Sequence, residues 1–320
     1  MFGGSCAQQK VLSNAYSLQR IKDKYDTGSE VPYGRNFNFT EQDNGWQTGI
    51  RVFGQDMFIT NRGASNSFDS NDVYMHKLKI VNSDGTYDQR LTISSGNTNF
   101  TSIDGFDMAN GTNLLICGFH SNAIKSATLA TPYDLSSTFT ITGSKTITTG
   151  MRGCSWGDSG NKYYVVYAST LRQFSTSTAY EVASGDTEGT SKTLSFTAAS
   201  DISFSDDGYT VWISEHDGGL YQYTMTTAWD TSTIGSEVAV DTDTFYGNEG
   251  TSPVRSSSST NTTQWICGMY WNDDGTKLYV NSLWGMTDTS EVVGSPSPST
   301  VTGEGGSRTN TFAVIEYSVN

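Results

Sequence analysis

The chain has 320 residues, and 33 acidic against 19 basic side chains give it a net charge of −14 at neutral pH, which disfavours nucleic acid and anionic membrane surfaces as partners. Aromatic residues make up 12% of it although hydrophobic content is only 35%, a balance that disordered chains lack and that favours strands and turns over helices. No stretch approaches the roughly 20 consecutive apolar residues of a membrane-crossing helix, so no membrane insertion is expected.

The N-terminal MFGGSCAQQK lacks the apolar core of a secretory signal, and the chain is expected either to be intracellular when made or to have lost a leader. Residues 8–25, QQKVLSNAYSLQRIKDKY, place Val11, Leu12, Ala15, Leu18, Ile21 and Tyr25 at roughly helical spacing, with Tyr16 beside them. Lys10, Arg20, Lys22 and Lys24 make this segment basic ahead of an acidic body. An isolated helix of this length is marginal in water. Residues 1–34 are therefore read as an attachment arm docking on a neighbouring subunit through Val11, Leu12, Tyr16, Leu18 and Ile21; a tail without fixed structure is the alternative.

Residues 35–320 repeat one layout. It shows as GIRVFGQDMFIT (49–60) with DVYMHKLKI (72–80), then as FDMANGTNLLICGF (106–119) with LATPYDLSST (129–138). CSWGDSGNKYYVVYASTLRQFSTSTAYEVAS (154–184) follows, then ISFSDDGYTVWISEHDGGLYQYTMTTAWDTSTI (202–234), and finally ICGMYWNDDGTKLYV (266–280). Each copy opens with a strand of alternating apolar and small residues, which a Gly-containing turn reverses. The second strand, as in KYYVVY or YTVWIS, is almost continuously apolar, as a strand covered on both faces is. The third alternates large apolar with polar residues and is half exposed. In three copies an aromatic–acidic pair follows: Tyr133–Asp134, Tyr180–Glu181 and Trp229–Asp230. A fourth strand (LTISS, KTITT, KTLSFT, EVAV), starting near positions 91, 145, 192 and 237, ends the unit.

Four antiparallel strands every ~40–55 residues predict an all-β fold, a β-propeller of five four-stranded blades. The last blade carries two Ser/Thr/Gly-rich insertions, at 241–263 and 283–310, read as surface loops. Its third strand, TFAVIEYSVN, has no fourth, whereas NFNFT (36–40) reads as a fourth strand without a third. Pairing Asn36–Thr40 with the C-terminal blade would close the ring and remove an open sheet edge.

The chemistry-bearing residues are sparse. His76, His120 and His216 fall at non-equivalent places in three blades, no paired Cys spacing or acidic calcium loop is present, and nucleotide-binding and hydrolase motifs are absent. No catalytic residue, cofactor or metal is expected. Asp104, Asp107, Asp201 and Glu215 are the carboxylates that glycoside hydrolysis could draw on, whereas Asp206–Asp207 and Asp273–Asp274 suit the repeat turns. The aromatic–acidic pairs read as packing plus an acid capping the following bend. Cys117, Cys154 and Cys267 sit among apolar residues and read as buried free thiols. Trp265 and Trp284, at the irregular part of blade five, are the candidate partner or glycan contacts, since exposed indoles stack on sugar faces.

FSDDG (204–208), LYQYT (220–224) and WDT (229–231) together resemble the repeat of β-propeller proteins of marine bacteria and their phages. The resemblance covers blades three to five. It implies the fold and a role as a tail or appendage component of a bacteriophage virion, non-enzymatic, multimeric and partnered by other virion proteins or a host surface glycan, and it supplies no catalytic residues. A secreted or cell-surface carbohydrate-binding propeller of a marine bacterium is the alternative, with an enzyme acting on glycans third.

Overall fold

A computed structural model describes residues 17–25, 47–61, 72–81, 84–94, 103–119, 121–216, 219–241, 264–272, 275–286, 299–303 and 306–318. Blade one comprises β1 (Gln47–Phe53), β2 (Asp56–Asn61), β3 (Asp72–Val81) and β4 (Asp84–Ser94), and blade two β5 (Gly105–Ala109), β6 (Asn113–Cys117), β7 (Ala123–Leu129) and β8 (Phe139–Thr146). In blade three, β9 (Met151–Gly157), β10 (Lys162–Tyr167) and β11 (Thr170–Ser175) are followed by a fourth strand broken into β12 (Thr187–Glu188) and β13 (Lys192–Thr193). Blade four holds β14 (Ala199–Phe204), β15 (Thr210–Glu215), β16 (Gly219–Met225) and β17 (Ile234–Asp241). Blade five holds β18 (Gln264–Trp271), β19 (Lys277–Met286), β20 (Ser299–Gly303) and β21 (Gly306–Ser318).

All pairings within the blades are antiparallel. The inner strands lie side by side around an axis in the order β1, β5, β9, β14, β18, and β18 returns to β1. The chain is therefore a five-bladed β-propeller. Five strands can crowd round one axis because their meeting points are small. A side-chain carbon on Gly153 would lie 2.5 Å from the Asp201 backbone, and one on Gly268 would lie 2.7 Å from the Thr48 carbonyl. Across that last seam the buried Asn281 amide also donates to Thr48 O at 2.7 Å. The continuously apolar second strands β6, β10 and β15 are buried, whereas β8 alternates half-buried and exposed residues as an outer strand does.

The last blade departs from the expected layout. Residues 299–303, read from sequence as part of a surface loop, form β20, and β19 runs on to Met286 into the same insertion. Among the described residues β20 pairs with the start of β21, from Ser299 opposite Asn310 to Gly303 opposite Gly306. A Ser/Thr/Gly stretch lacks large apolar residues at every second position, so only its backbone announces the strand. Asn36–Thr40, the expected closing strand, lies outside the described residues.

The aromatic–acidic pairs explain how blades are joined. Tyr133, Tyr180 and Trp229 adopt left-handed φ of 58°, 61° and 62°, and each packs on a glycine of its own blade's first turn: Gly111, Gly160 and Gly208. Their N–H groups donate to those same glycine carbonyls at 2.8–3.0 Å. Asp134 and Asp230 cap the following bend, accepting from Ser136 N and Ser232 N at 2.9 and 3.0 Å. Two residues after the aromatic, the chain reaches the preceding blade. Val182 N donates to Ser126 Oγ, and Thr231 N to Gln173 Oε1. In the first clasp the same donor, Leu135 N, reaches Gln89 Oε1 on β4 at 2.9 Å, and Lys77 Nζ donates to Tyr133 O at 2.7 Å, as Lys162 Nζ does to Trp229 O.

Lys77, Ser126, Gln173, Gln222 and Glu316 occupy one register position on the third strand of the five blades. Among the described residues no aromatic–acidic pair of blade five reaches Gln222. There the helix α1 (Leu18–Tyr25) intervenes, and Leu18 N donates to Gln222 Oε1 at 2.8 Å. Leu18 and Ile21 are buried with Trp212, Leu220 and Val240 of blade four and Trp271, Leu278 and Val280 of blade five. The N-terminal helix thus fills the clasp position between these two blades.

Candidate functional site

One position of each inner strand faces the ring axis: Arg51, Asp107, Ser155, Ser203 and Tyr270, all in equivalent register with their second strands. Arg51 is 1% exposed. Its Nε donates to Asp107 Oδ1 at 2.9 Å and its Nη1 to Asp201 Oδ2 at 3.2 Å. Its Nη2 donates to the carbonyls of Cys154 and Ile202. Asp201 also accepts the N–H groups of Ile202 and Met269. A single network at the axis therefore touches all five blades.

Its electrostatics are those of a buried triad with one cation and two anions. Burial opposes the charge on Arg51, yet Asp201 and Asp107 outweigh that effect and hold the guanidinium protonated. Burial likewise lifts the Asp201 carboxyl to about 6, with Arg51 pulling the other way. Asp107 is filled on both sides. Oδ1 accepts from Arg51 Nε and Met108 N, and Oδ2 from Ser155 Oγ and Trp156 N.

Above this network opens a bowl of about 390 Å³, at the end of the ring where the inner strands finish. Asp107, Ser155, Ser203 and Tyr270 line its floor, and Tyr133, Tyr180 and Trp229 of the clasps line its walls. Seven non-glycine residues among those described have positive φ, and six of them line this bowl: Asn110, Tyr133, Asp158, Ser159, Tyr180 and Trp229. Such backbone costs roughly 1 kcal/mol or more per residue and concentrates where function fixes a shape.

The residues singled out in sequence fall as follows. Trp265 and Trp284 lie in β18 and β19, with Trp265 opposite Leu283 and Trp284 opposite Gln264. They sit at the end of these strands remote from Tyr270, and so away from the bowl. Leu18 and Ile21 are covered by this chain's own blades four and five, which leaves neither side chain for a neighbouring subunit; Val11, Leu12 and Tyr16 lie outside the described residues. Of the four carboxylates, Asp107 and Asp201 meet at Arg51. Asp104 instead accepts from Phe119 N, and Glu215 from Tyr221 OH. Cys117, Cys154 and Cys267 are buried free thiols, and burial pushes the Cys154 thiol well up. No group of potential metal ligands occurs among the described residues. Arg51 and Ser203 were not singled out in sequence. Their signal lies in stacking GIRVF, GFDMA, GCSWG and DISF on their shared first position.

No family model matches the chain and no curated protein matches it. Among solved structures it is similar to a Lactobacillus plantarum protein (10% identity, TM-score 0.42, 85% of this chain and 71% of that one). It is also similar to a functionally unknown protein of Desulfotomaculum acetoxidans (12%, TM-score 0.42, 78% and 72%). A third is a Bacteroides fragilis protein provisionally named a 6-phosphogluconolactonase (13%, TM-score 0.40, 75% and 65%). Likenesses this distant bear on no activity.

Proposed function

We propose that the chain is a non-enzymatic component of a bacteriophage virion, in the tail or an appendage, where the five-bladed ring is a rigid platform and the bowl is the face turned to a partner or the host surface. The non-catalytic part of this reading rests on Asp107. It is the carboxylate at the floor of the bowl, and an ionised carboxylate has about four lone-pair sites. Four donors already take them up, so none is left to accept a proton from a substrate. The virion setting rests on the resemblance carried by LYQYT (220–224) and WDT (229–231).

Mass spectrometry and immunogold labelling of purified particles test the setting. The protein is expected in particles at a fixed ratio to tail proteins, and its absence from them overturns the setting. Turnover of glycosides or lactones by the purified ring, abolished in Asp107→Asn, overturns the non-catalytic part. A carbohydrate-binding propeller at a cell surface is the second reading, and it draws on the hydroxyl groups of the bowl floor. Glycan-array binding lost in Ser203→Val but kept in Trp284→Ala would place that contact in the bowl; the reverse would place it on blade five.

A further inference from the structure

We infer that the bowl is a binding site for a hydroxylated amine, a ligand carrying a protonated amino group beside hydroxyl oxygens, as an amino-sugar unit of a surface glycan does. The inference rests on the reading of the bowl as a contact face, and it names the chemistry that face selects.

Charge is the first argument. Asp107, Asp158 and Asp206 line the bowl, and among the described residues no Lys or Arg does. The two lysines at the clasps donate to backbone carbonyls there, Lys77 to Tyr133 O and Lys162 to Trp229 O. Arg51 lies beneath the floor, where its single charge faces both Asp107 and Asp201. Low-dielectric walls around a concave site concentrate the field of such carboxylates. A phosphate or carboxylate on the ligand is repelled, and an ammonium is drawn in.

Unused hydrogen-bonding capacity is the second argument. Ser203 is 5% exposed and lines the bowl, and its hydroxyl makes no hydrogen bond among the described residues. It lies two positions after Asp201 on β14, so both side chains leave the strand on the same side, toward the axis. Ser155 beside Ser203 on the floor is already engaged, its hydroxyl hydrogen-bonded to Asp107 Oδ2 at 3.0 Å. A serine hydroxyl can donate or accept, so a ligand hydroxyl answers Ser203 in either role. The clasp rings are covered on one face by Gly111, Gly160 and Gly208, which leaves recognition to polar groups more than to stacking.

The test titrates the full chain near pH 6.5 with glucosamine, N-acetylglucosamine and glucose 6-phosphate, read by tryptophan fluorescence and NMR shifts. Glucosamine is expected to bind, its acetylated form to bind about tenfold more weakly, and the phosphate not to bind. Replacing Asp158→Asn should weaken glucosamine about threefold without changing the melting temperature. Ser203→Val should weaken both amino sugars alike. Equal affinity for glucosamine and its acetylated form overturns the charge argument, and absence of glucosamine binding overturns the inference as a whole. The two levels fail separately. A protein missing from particles sinks the virion setting but leaves amine binding standing, whereas particles that carry the protein yet show no amine binding sink only this inference.

Discussion

Arg51 Nη1 and Asp201 Oδ2 stand 3.2 Å apart, both side chains buried, although their blades are not neighbours in the ring. A contact across the axis requires all five inner strands to be in place, so this pair reports closure of the ring. Removing one partner of a buried pair leaves an uncompensated charge and costs about 3–5 kcal/mol. Arg51→Met, which strands two carboxylates, should therefore lower the urea midpoint steeply. The triple variant Arg51→Met, Asp107→Asn, Asp201→Asn should regain part of the loss. If Arg51→Met unfolds like the wild type, the axis network is not holding the ring.

The same carboxylate makes stability depend on pH. Asp201 titrates at about 6 in the folded chain against an ordinary 3.8, burial being the main cause. Between those values the folded state keeps a proton that the unfolded state has released. Stability from this site is thus present below about pH 4 and lost as the pH rises through 6. The full span is on the order of 3 kcal/mol. Asp134 and Asp230 work in the opposite sense, because hydrogen bonds from Ser136 and Ser232 hold them below the usual range; stability from them is lost only as the pH falls through those lowered values. Comparing thermal unfolding of wild type and Asp201→Asn from pH 4 to 7.5 isolates the buried group. The difference between the two should shift against the wild type with rising pH, and parallel curves would contradict the assignment.

Two glycines at equivalent turns separate the clasp from the turn itself. Gly208 (φ 71°) lies under the Trp229 ring, where a methyl group has no room, whereas Gly54 (φ 58°) has open space around its Cβ direction. Gly54→Ala should cost only the left-handed strain, about 1 kcal/mol. Gly208→Ala must also push the indole off its seat and should cost roughly 2–4 kcal/mol. Equal losses in equilibrium unfolding would mean that the ring-on-glycine packing contributes nothing.

That clasp was half legible in the sequence. The turn glycine and the aromatic–acidic pair recur in three copies, and a recurring pair at one blade position reads as packing. What the pair reaches was not legible, because its acceptors are Ser126 and Gln173 at one register position and Gln89 on the strand beside it, side chains that only strand pairing brings into line. Of the axis residues only Asp107 was singled out, as a carboxylate; Arg51, Ser155, Ser203 and Tyr270 were hidden for the same reason, one position carrying four chemistries. β20 escaped notice because a Ser/Thr/Gly hairpin carries no apolar alternation.

The stripe through Leu18 and Ile21 announced a helix with an apolar face, but a stripe does not say what covers it. Leu18 is 1% exposed and Ile21 fully buried, against blades four and five of the same chain. Truncating a buried Leu or Ile to Ala costs about 2–5 kcal/mol, so Leu18→Ala and Ile21→Ala should each destabilise the ring measurably. Gln222→Ala removes the acceptor for both Leu18 N and Trp212 Nε1 and should cost about 1–2 kcal/mol more than the same change at an exposed site. An arm serving attachment alone would give the opposite result: removal of residues 1–34 would leave the melting temperature of the ring unchanged and abolish only its incorporation into an assembly. The helix instead occupies the position where three other seams use the next blade's clasp. Its deletion should therefore loosen blades four and five first, with faster hydrogen exchange at β16 and β18 than at β6 and β10. Uniform exchange across all five blades after deletion would show that the seam does not depend on it.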